Sequence, residues 1–401
     1  MRMCIYGVGL FLLAALCSPG RGQDCGTWTQ TDVSGPSARA NHAVAYDSER
    51  DRLILFGGTD DGGNGSGAKQ DTWAWKDGAW TPLATDGPPP RSGHTMVYDA
   101  ARDRVVLFGG WNGDYLADTW EWDGSAWHLR AGGGPSPRES QVMVYDPARG
   151  VTLMFGGAGS EGSMGDFWQW DGETWSYLNT KVPPGRFAAV MAYDLSRSVA
   201  VLFGGYDGEY RDDTWEWDGQ VWNLAANNGS TPREGSAMDF DSVRNRCVLF
   251  GGSTGPGSFS DQTWEWNGSA WTLRSEVGPS RRNSASLTYD SGSSEFVLFG
   301  GYGDPGGFEQ DTWTLKFTSG PDISVPPQDT SVEAHDPIIL SVESNGQGTL
   351  TYQWRKDTID LDNGGNIFGA RDSTLTVFPS HLAPKMLPPT APSICSTSWC
   401  S

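Results

Sequence analysis

Six arginines recur along the chain, and each follows a turn-rich stretch such as residues 134–137, GPSP. A guanidinium group binds a carboxylate or a phosphate through two parallel hydrogen bonds, so a ring of arginines on one face could hold an anionic ligand. Alternatively, each arginine pairs with an aspartate of a repeated D-T-W-type motif and holds the fold together. The regular recurrence favours this structural role, and both interpretations stay open. The arginines are Arg39, Arg91, Arg138, Arg186, Arg233 and Arg282, and the aspartates are Asp71, Asp118, Asp166, Asp213 and Asp311.

A second set of candidate residues is aromatic and lies in the glycine-rich stretches that separate apolar runs. An exposed ring beside a carboxylate suits stacking on a sugar, with hydrogen bonds to the sugar hydroxyls. Aromatic residues in loops also pack those loops, and the sequence does not separate the two roles. Together with the six arginines, the candidate ligand-binding residues are Trp111, Tyr115, Tyr206, Tyr210 and Tyr302.

A sixfold repeat positions these candidates. Each copy has an aromatic–Asp pair, an apolar run that ends in two glycines, a variable loop and a D-T-W-x-W-type motif. In the first five copies a short turn then leads to one more tryptophan. The six FGG tripeptides begin at Phe56, Phe108, Phe155, Phe203, Phe250 and Phe299.

Each copy predicts four short strands. Residues 99–104 read as a hairpin turn, and the apolar run that follows is typical of a buried strand. The Asp-Gly step inside residues 119–127 predicts a hairpin between the last two strands. Cys247 falls in one of the apolar runs, so we expect a buried side chain there.

The last copy ends without its fourth strand, because no tryptophan follows the turn after Trp313. The stretch 26–30, GTWTQ, precedes the first copy and supplies Trp28. We therefore expect the N-terminal strand to complete the sixth sheet, which closes a ring without a free strand edge.

This pattern resembles the kelch-repeat family of β-propellers, including the central-domain type of galactose oxidase. The resemblance implies an all-β fold, a six-bladed propeller over residues 23–318, and ligand binding on the face that carries the variable loops. Copper-radical oxidases of this type need a Tyr, a Cys and two His as ligands. The propeller has only His42, His94 and His128, and its one core cysteine, Cys247, falls on a strand predicted to be buried, so that activity is not expected.

The flanks of the chain predict export. Residues 1–22 combine a basic start, a short apolar run and small residues, which is typical of a signal peptide, so we expect a secreted protein. The formal charge of −21 disfavours nucleic acid as a partner, and no later segment is apolar enough to span a membrane.

A second, partial domain is predicted after a linker at 319–322. Residues 323–380 resemble an immunoglobulin-like module with Trp354 in its core, but Val342 stands where the first core cysteine is expected. This segment is expected to form a partial β-sandwich. Residues 381–401 show no strand pattern and read as an irregular tail, for which a truncated or frame-shifted end of the module is one hypothesis.

The sequence thus predicts an exported, monomeric, non-enzymatic protein that binds a protein or a glycan on one face of the propeller, without a cofactor or a metal. Two alternatives stay open. One is a sugar-directed enzyme similar to the kelch-type sialate mutarotases, and the other is a purely structural extracellular protein.

Overall fold

The computed structural model describes residues 4–7, 25–61, 67–130, 133–275, 277–303 and 306–318, with short stretches between 322 and 377. In these residues the regular structure is all strand, which confirms the all-β prediction. No helix in the described stretches is long and apolar enough to cross a membrane. The chain divides into two compact units, Thr27–Lys316 and Met1–Gly26 with Phe317–Ser401.

The larger unit is built on six four-stranded sheets, numbered 1 to 6 in chain order. Sheet 1 has Ala43–Asp47, Arg52–Phe56, Thr72–Lys76 and Ala79–Ala84, and sheet 2 has Thr95–Asp99, Arg104–Trp111, Tyr115–Trp122 and Trp127–Leu129. Sheet 3 has Val142–Asp146, Val151–Phe155, Phe167–Trp170 and Trp175–Tyr177, and sheet 4 has Val190–Asp194, Val199–Phe203, Thr214–Trp217 and Trp222–Ala226. Sheet 5 has Ala237–Asp241, Arg246–Phe250, Thr263–Trp266 and Trp271–Ser275, and sheet 6 has Ser286–Asp290, Glu295–Phe299, Thr312–Thr318 and Cys25–Thr31.

The second strand of each sheet is the most deeply buried. In sheet 2, Val105 to Phe108 are at most 1% exposed, and the equivalent run in sheet 5 includes the fully buried free thiol of Cys247. Two glycines follow each of these strands at positive φ. At Gly109 a Cβ atom would lie 2.7 Å from the carbonyl oxygen of Arg138, so the next sheet approaches too closely for a side chain.

The six sheets meet in a closed cycle. Their first strands contact one another in chain order, and the first strand of sheet 6 contacts that of sheet 1. Just before these strands, six residues with left-handed φ each donate a backbone N–H to the carbonyl of the equivalent residue in the preceding sheet. These ring residues are Asn41, Gly93, Ser140, Ala188, Gly235 and Ser284.

The N-terminal strand Cys25–Thr31 lies beside Thr312–Thr318 in sheet 6, as the missing sixth tryptophan predicts. Trp28 donates its indole N–H to the hydroxyl of Thr263 in sheet 5 at 3.0 Å. Trp80 and Trp127 make the same bond to the preceding sheet, so the N-terminal strand takes the place of a regular fourth strand.

Short strands add to the loops between the second and third strands of sheets 3, 5 and 6, and in sheet 6 a short strand that precedes the first strand joins them. They are Ala158–Gly159 with Gly162–Ser163, Ser253–Gly255 with Ser258–Phe259, and Arg282–Asn283 with Tyr302–Gly303 and Gly307–Phe308.

The described residues of the second unit form short strand pairs and one three-stranded sheet. Trp354 and Val342, on which the immunoglobulin-like prediction depends, lie outside the described residues, as do the tail 381–401 and most of the predicted signal peptide. The strands are Cys4–Gly7, Asp322–Val325, Ile338–Ser341, Glu343–Asn345, Leu350–Gln353, Arg355–Lys356, Ile359–Asp360, Ile367–Phe368 and Thr374–Val377.

Candidate functional site

The six repeated arginines are buried rather than displayed to a ligand. Each is at most 1% exposed. In five sheets, Nη1 and Nη2 bind both oxygens of the aspartate of the D-T-W-type motif, at 2.5–2.7 Å and 2.7–3.0 Å. Burial raises the pKa of Asp118, but the hydrogen bonds and charge of Arg91 outweigh it, so that pKa lies below its usual value.

The arginines also join neighbouring sheets. The Arg91 side chain binds the carbonyl of Gly109 in its own sheet 2, whereas its backbone N–H and C=O bond to Lys69 and Gly58 of sheet 1. The other five repeat this arrangement around the cycle. The guanidinium donors of all six residues are therefore used inside the fold, which is the arrangement that the structural interpretation predicts; the residues are Arg39, Arg91, Arg138, Arg186, Arg233 and Arg282.

Arg233 differs from the other five arginines because it faces an uncharged side chain instead of an aspartate. Gln262 replaces the aspartate in sheet 5, and its Oε1 accepts one bond from Arg233 Nη2 at 3.3 Å. Burial lowers the pKa of Arg233 to about 10. Its remaining donors reach the carbonyls of Thr231 and Gly251 and the hydroxyl of Ser260, so this guanidinium is hydrogen-bonded without the carboxylate that its five counterparts have.

The predicted aromatic residues lie half-buried on one edge of the sheets and pair edge to face. Trp111 and Tyr115 pair in sheet 2, with ring centroids 4.8 Å apart, and Tyr206 and Tyr210 pair in sheet 4 at 5.1 Å. Tyr302 of sheet 6 packs on Phe308 at 5.2 Å. The structure thus places these residues on alternate sheets of the cycle.

The carboxylate next to the tyrosine pair of sheet 4 is already occupied. Asp207 accepts a bond from Arg211 Nε at 2.9 Å, and Glu209 also lies within ion-pair distance of Arg211. In sheet 4, therefore, the carboxylates beside the tyrosine pair are bound by an arginine of the same loop.

A different set of side chains surrounds the ring residues. We call the residue that follows each repeated arginine a mouth residue. Its backbone pairs with the residue after the double glycine of the same sheet. This pairing brings the segment before the first strand and the variable loop to one surface, the loop face. The mouth residues are Ala40, Ser92, Glu139, Phe187, Glu234 and Asn283.

Glu139 and Glu234 are half-buried, and neither carboxylate has a hydrogen bond or ion pair with a described residue. A Cβ atom on the ring residue Gly93 would lie 2.8 Å from Glu139 Oε2, which places that carboxylate over the ring. Burial raises the pKa of both Glu139 and Glu234. Asn283 adds a buried Oδ1 atom that accepts no hydrogen bond in the described part of the chain.

A third carboxylate lies on the strand that follows Glu234 in the chain. Asp239, on the first strand of sheet 5, accepts backbone N–H bonds from Phe240 and from Tyr289 of sheet 6, both at 2.8 Å. Burial raises the pKa of Asp239 to about 6 despite these bonds. Acidic groups with raised pKa values can exchange protons near neutral pH, or hold a positively charged group.

The sequence analysis missed Glu139, Glu234, Asp239 and Phe187. A signal was present: the residue after each repeated arginine differs in every copy except for the two glutamates, whereas the arginine itself does not vary. Position-by-position comparison of the six copies would have separated the constant structural residue from the variable one beside it.

The described residues contain no group of three or more His, Cys, Asp or Glu side chains placed to hold a metal ion. His42 and His94 are buried between sheets, where desolvation lowers the pKa of each imidazole to about 3. His94 packs edge to face on Phe56.

Comparison with known proteins finds a matching family model and solved structures with a similar fold. Residues 62–252 match the family model of the KLHDC2/KLHL20/DRC7 kelch-repeats domain. The fold resembles a solved structure described as "Structure of YjhT", with a TM-score of 0.56 and 16% identity, over 69% of this chain and 95% of that chain. No curated protein matches the chain.

The expectation of a non-enzymatic protein is corrected by the second likeness, because YjhT is a kelch-type sialate mutarotase, an enzyme. At 16% identity the likeness shows the fold alone. It removes the ground for excluding catalysis and assigns no reaction. The family match thus places a kelch-repeat domain at residues 62–252, and the all-strand sheets agree with that fold.

Proposed function

We propose that the six sheets are the blades of one propeller, closed by the N-terminal strand, and that this propeller is an exported binding module for a protein or glycan ligand. The ligand binds at the mouth of the loop face. The cyclic contacts of the first strands and the backbone bonds between ring residues support the closed architecture.

The observation that carries the proposal is the contrast between two adjacent positions of the same repeat. At the arginine position, five of the six side chains are neutralised by a carboxylate. At the next position, Glu139 and Glu234 have no partner among the described residues, and Phe187 packs on Tyr206. Desolvated polar groups without partners cost free energy in the unbound protein, which is typical of sites that gain partners from a ligand.

The aromatic pairs give the same surface its apolar area. Trp111, Tyr206 and Tyr302 follow the double glycines directly, so rigid strands hold them beside the mouth residues. Kelch-repeat domains are binding modules in many proteins, and variable loops on a rigid scaffold suit that role.

A glycan array and a pull-down with the purified full-length protein test this proposal. We expect a ligand whose binding falls at least about tenfold when Tyr206 is changed to Ala, because a stacked ring contributes more than about 1.4 kcal/mol. Tyr177→Ala is the matched control, since Tyr177 is exposed on the outermost strand of sheet 3. A ligand that binds both variants like the wild type would place the site elsewhere.

Sugar-directed catalysis at the same mouth is a second candidate. The raised pKa values of Glu139, Glu234 and Asp239 favour it, because general acid–base catalysis needs carboxyl groups that titrate near the working pH. Any glycan that binds should be followed by NMR with the protein present. Turnover that disappears in Asp239→Ala and Glu234→Gln, with binding retained, would support a reaction; unchanged sugar would leave the mouth as a binding site.

A further inference from the structure

We infer that the mouth of the loop face binds an alkylammonium group, held between the carboxylates of Glu139 and Glu234 and the aromatic pairs beside them. This inference rests on the proposed binding function and names the chemistry of its ligand. The shared chemistry is a primary or methylated amine, which a small amine or a lysine side chain of a partner protein can supply.

The unpaired hydrogen-bond acceptors of the mouth point to a ligand that donates hydrogen bonds. The Glu139 and Glu234 carboxylates have no partner among the described residues, and Asn283 Oδ1 accepts no bond. These groups occupy the same position of three repeats, so they surround one ring. A carboxylate only accepts hydrogen bonds when ionised, whereas an ammonium group only donates, with three N–H groups. An anionic ligand would instead meet like charge.

Aromatic faces beside these acceptors favour an organic cation over a metal ion. Glu139 lies over Gly93, which follows Ser92, and the backbone of Ser92 pairs with Trp111. The carboxylate therefore sits on the side of the Trp111–Tyr115 pair. An ammonium group gains from the electron-rich face of such rings as well as from the carboxylate, which is how aromatic cages recognise alkylated amines.

The repeat generates this arrangement twice. Asn283 lies against Gly235 of the preceding sheet just as Glu139 lies against Gly93. By the same equivalence Glu234 lies toward Ala188, next to Phe187, which packs on Tyr206. Each glutamate thus lies on the side of the aromatic residues of the preceding sheet.

The charge of the whole chain supports a cationic ligand. The formal net charge is −21, and most buried aspartates are already bound by arginines of their own sheet. The two mouth glutamates have no such partner among the described residues. A strongly negative protein attracts cations over long range, and the attraction decreases with added salt.

The test measures binding of 1,5-diaminopentane and of tetramethylammonium to the full-length protein by calorimetry at low salt, with 1,5-pentanediol as the neutral analogue. We expect both cations to bind and the diol not to bind. The variant Glu139→Gln/Glu234→Gln should weaken binding by at least about tenfold. The control Glu173→Gln/Asp77→Asn removes the same charge from hairpins at the opposite strand ends and should bind like the wild type.

A pH series adds a second readout. Because burial raises the pKa of both glutamates, cation binding should decline on acidification at a higher pH than for ordinary glutamates. A peptide with one lysine, compared with its acetyl-lysine counterpart, separates a protein side chain from a free amine as the natural source. Tighter binding of the lysine peptide than of the diamine would favour the protein source.

Equal binding of diol and diamine, unchanged binding in the mouth variant, or absence of cation binding would each overturn the inference. If the glutamine variant misfolds, Glu139→Ser and Glu234→Ser replace it in the test. Serine is the residue that sheet 2 has at this position, so the repeat tolerates it. A neutral glycan that binds and depends on Tyr206, without any cation binding, would refute this inference and leave the proposed binding function intact.

Discussion

At the scale of single residues, this protein separates buried charges that the fold satisfies from those that it leaves without a partner. Arg91 is fully buried and binds both oxygens of Asp118, so removal of either partner would leave an uncompensated charge. Glu139, one repeat further, has no such partner in the described structure. The first type of residue stabilises the fold, and the second is available to a ligand.

Arg233 offers a direct test of this distinction. Changing Gln262 to Asp should restore the bidentate pair and raise the free energy of unfolding by about 1–3 kcal/mol, which is several degrees in melting temperature. The aspartate pKa will be depressed in the folded state, as for Asp213, so the gain should persist above about pH 4 and be lost as the pH falls below it.

Thermal melts between pH 3 and about pH 8 measure this effect. Gln262→Asn is the control, since it has the size of aspartate without its charge. A melting temperature that is the same for the aspartate and asparagine variants would show that the missing charge at Arg233 has no energetic consequence.

At the scale of elements, the double glycines set how closely two sheets approach. Gly109 has φ +67°, and a Cβ there would meet the Arg138 carbonyl, which already accepts the N–H of Gly110. Gly150 has nearly the same φ, +68°, but open space around it. We expect Gly150→Ala to cost about 1 kcal/mol through its backbone conformation and Gly109→Ala at least about 3 kcal/mol, because a clash with fixed backbone is added.

Chemical denaturation of the two variants checks this expectation. Similar losses would mean that positive φ alone, and not the contact between sheets, requires glycine after the second strand.

At the scale of the whole molecule, closure of the cycle depends on the N-terminal strand Cys25–Thr31. This strand is far in sequence from the other strands of sheet 6 and belongs to that sheet only through its pairing with Thr312–Thr318. Trp28 joins that strand to sheet 5 through Thr263 and packs on Phe250. Trp28→Ala should lower the free energy of unfolding by about 3–5 kcal/mol and increase amide exchange in Thr312–Lys316, because the ring opens at this seam.

Trp271→Ala is the matched control, since Trp271 makes the equivalent bond to Thr214 within a sheet whose four strands are continuous along the chain. It should destabilise the protein without raising exchange in Thr312–Lys316. Equal exchange in that strand for both variants would contradict closure at the N-terminal seam.

The sequence by itself determined the strands, the double glycines and the N-terminal contribution to sheet 6. These features repeat at fixed spacing, and each follows from local chemistry such as an apolar run, a turn or a missing tryptophan. The repeat was compatible with both a structural and a ligand-binding role for the arginines, and it did not separate the two.

Only the tertiary structure decided that choice. A guanidinium group is structural or ligand-binding according to the partners that surround it, and those partners lie 27 to 32 residues away in the chain, as for Arg91 with Asp118 and Arg39 with Asp71. The same holds for Glu139 and Glu234: the variation between copies marks their position, but the absence of a partner is not visible in the sequence. It becomes visible when the ring residues bring the six mouth positions together and show which of them the fold has left unsatisfied.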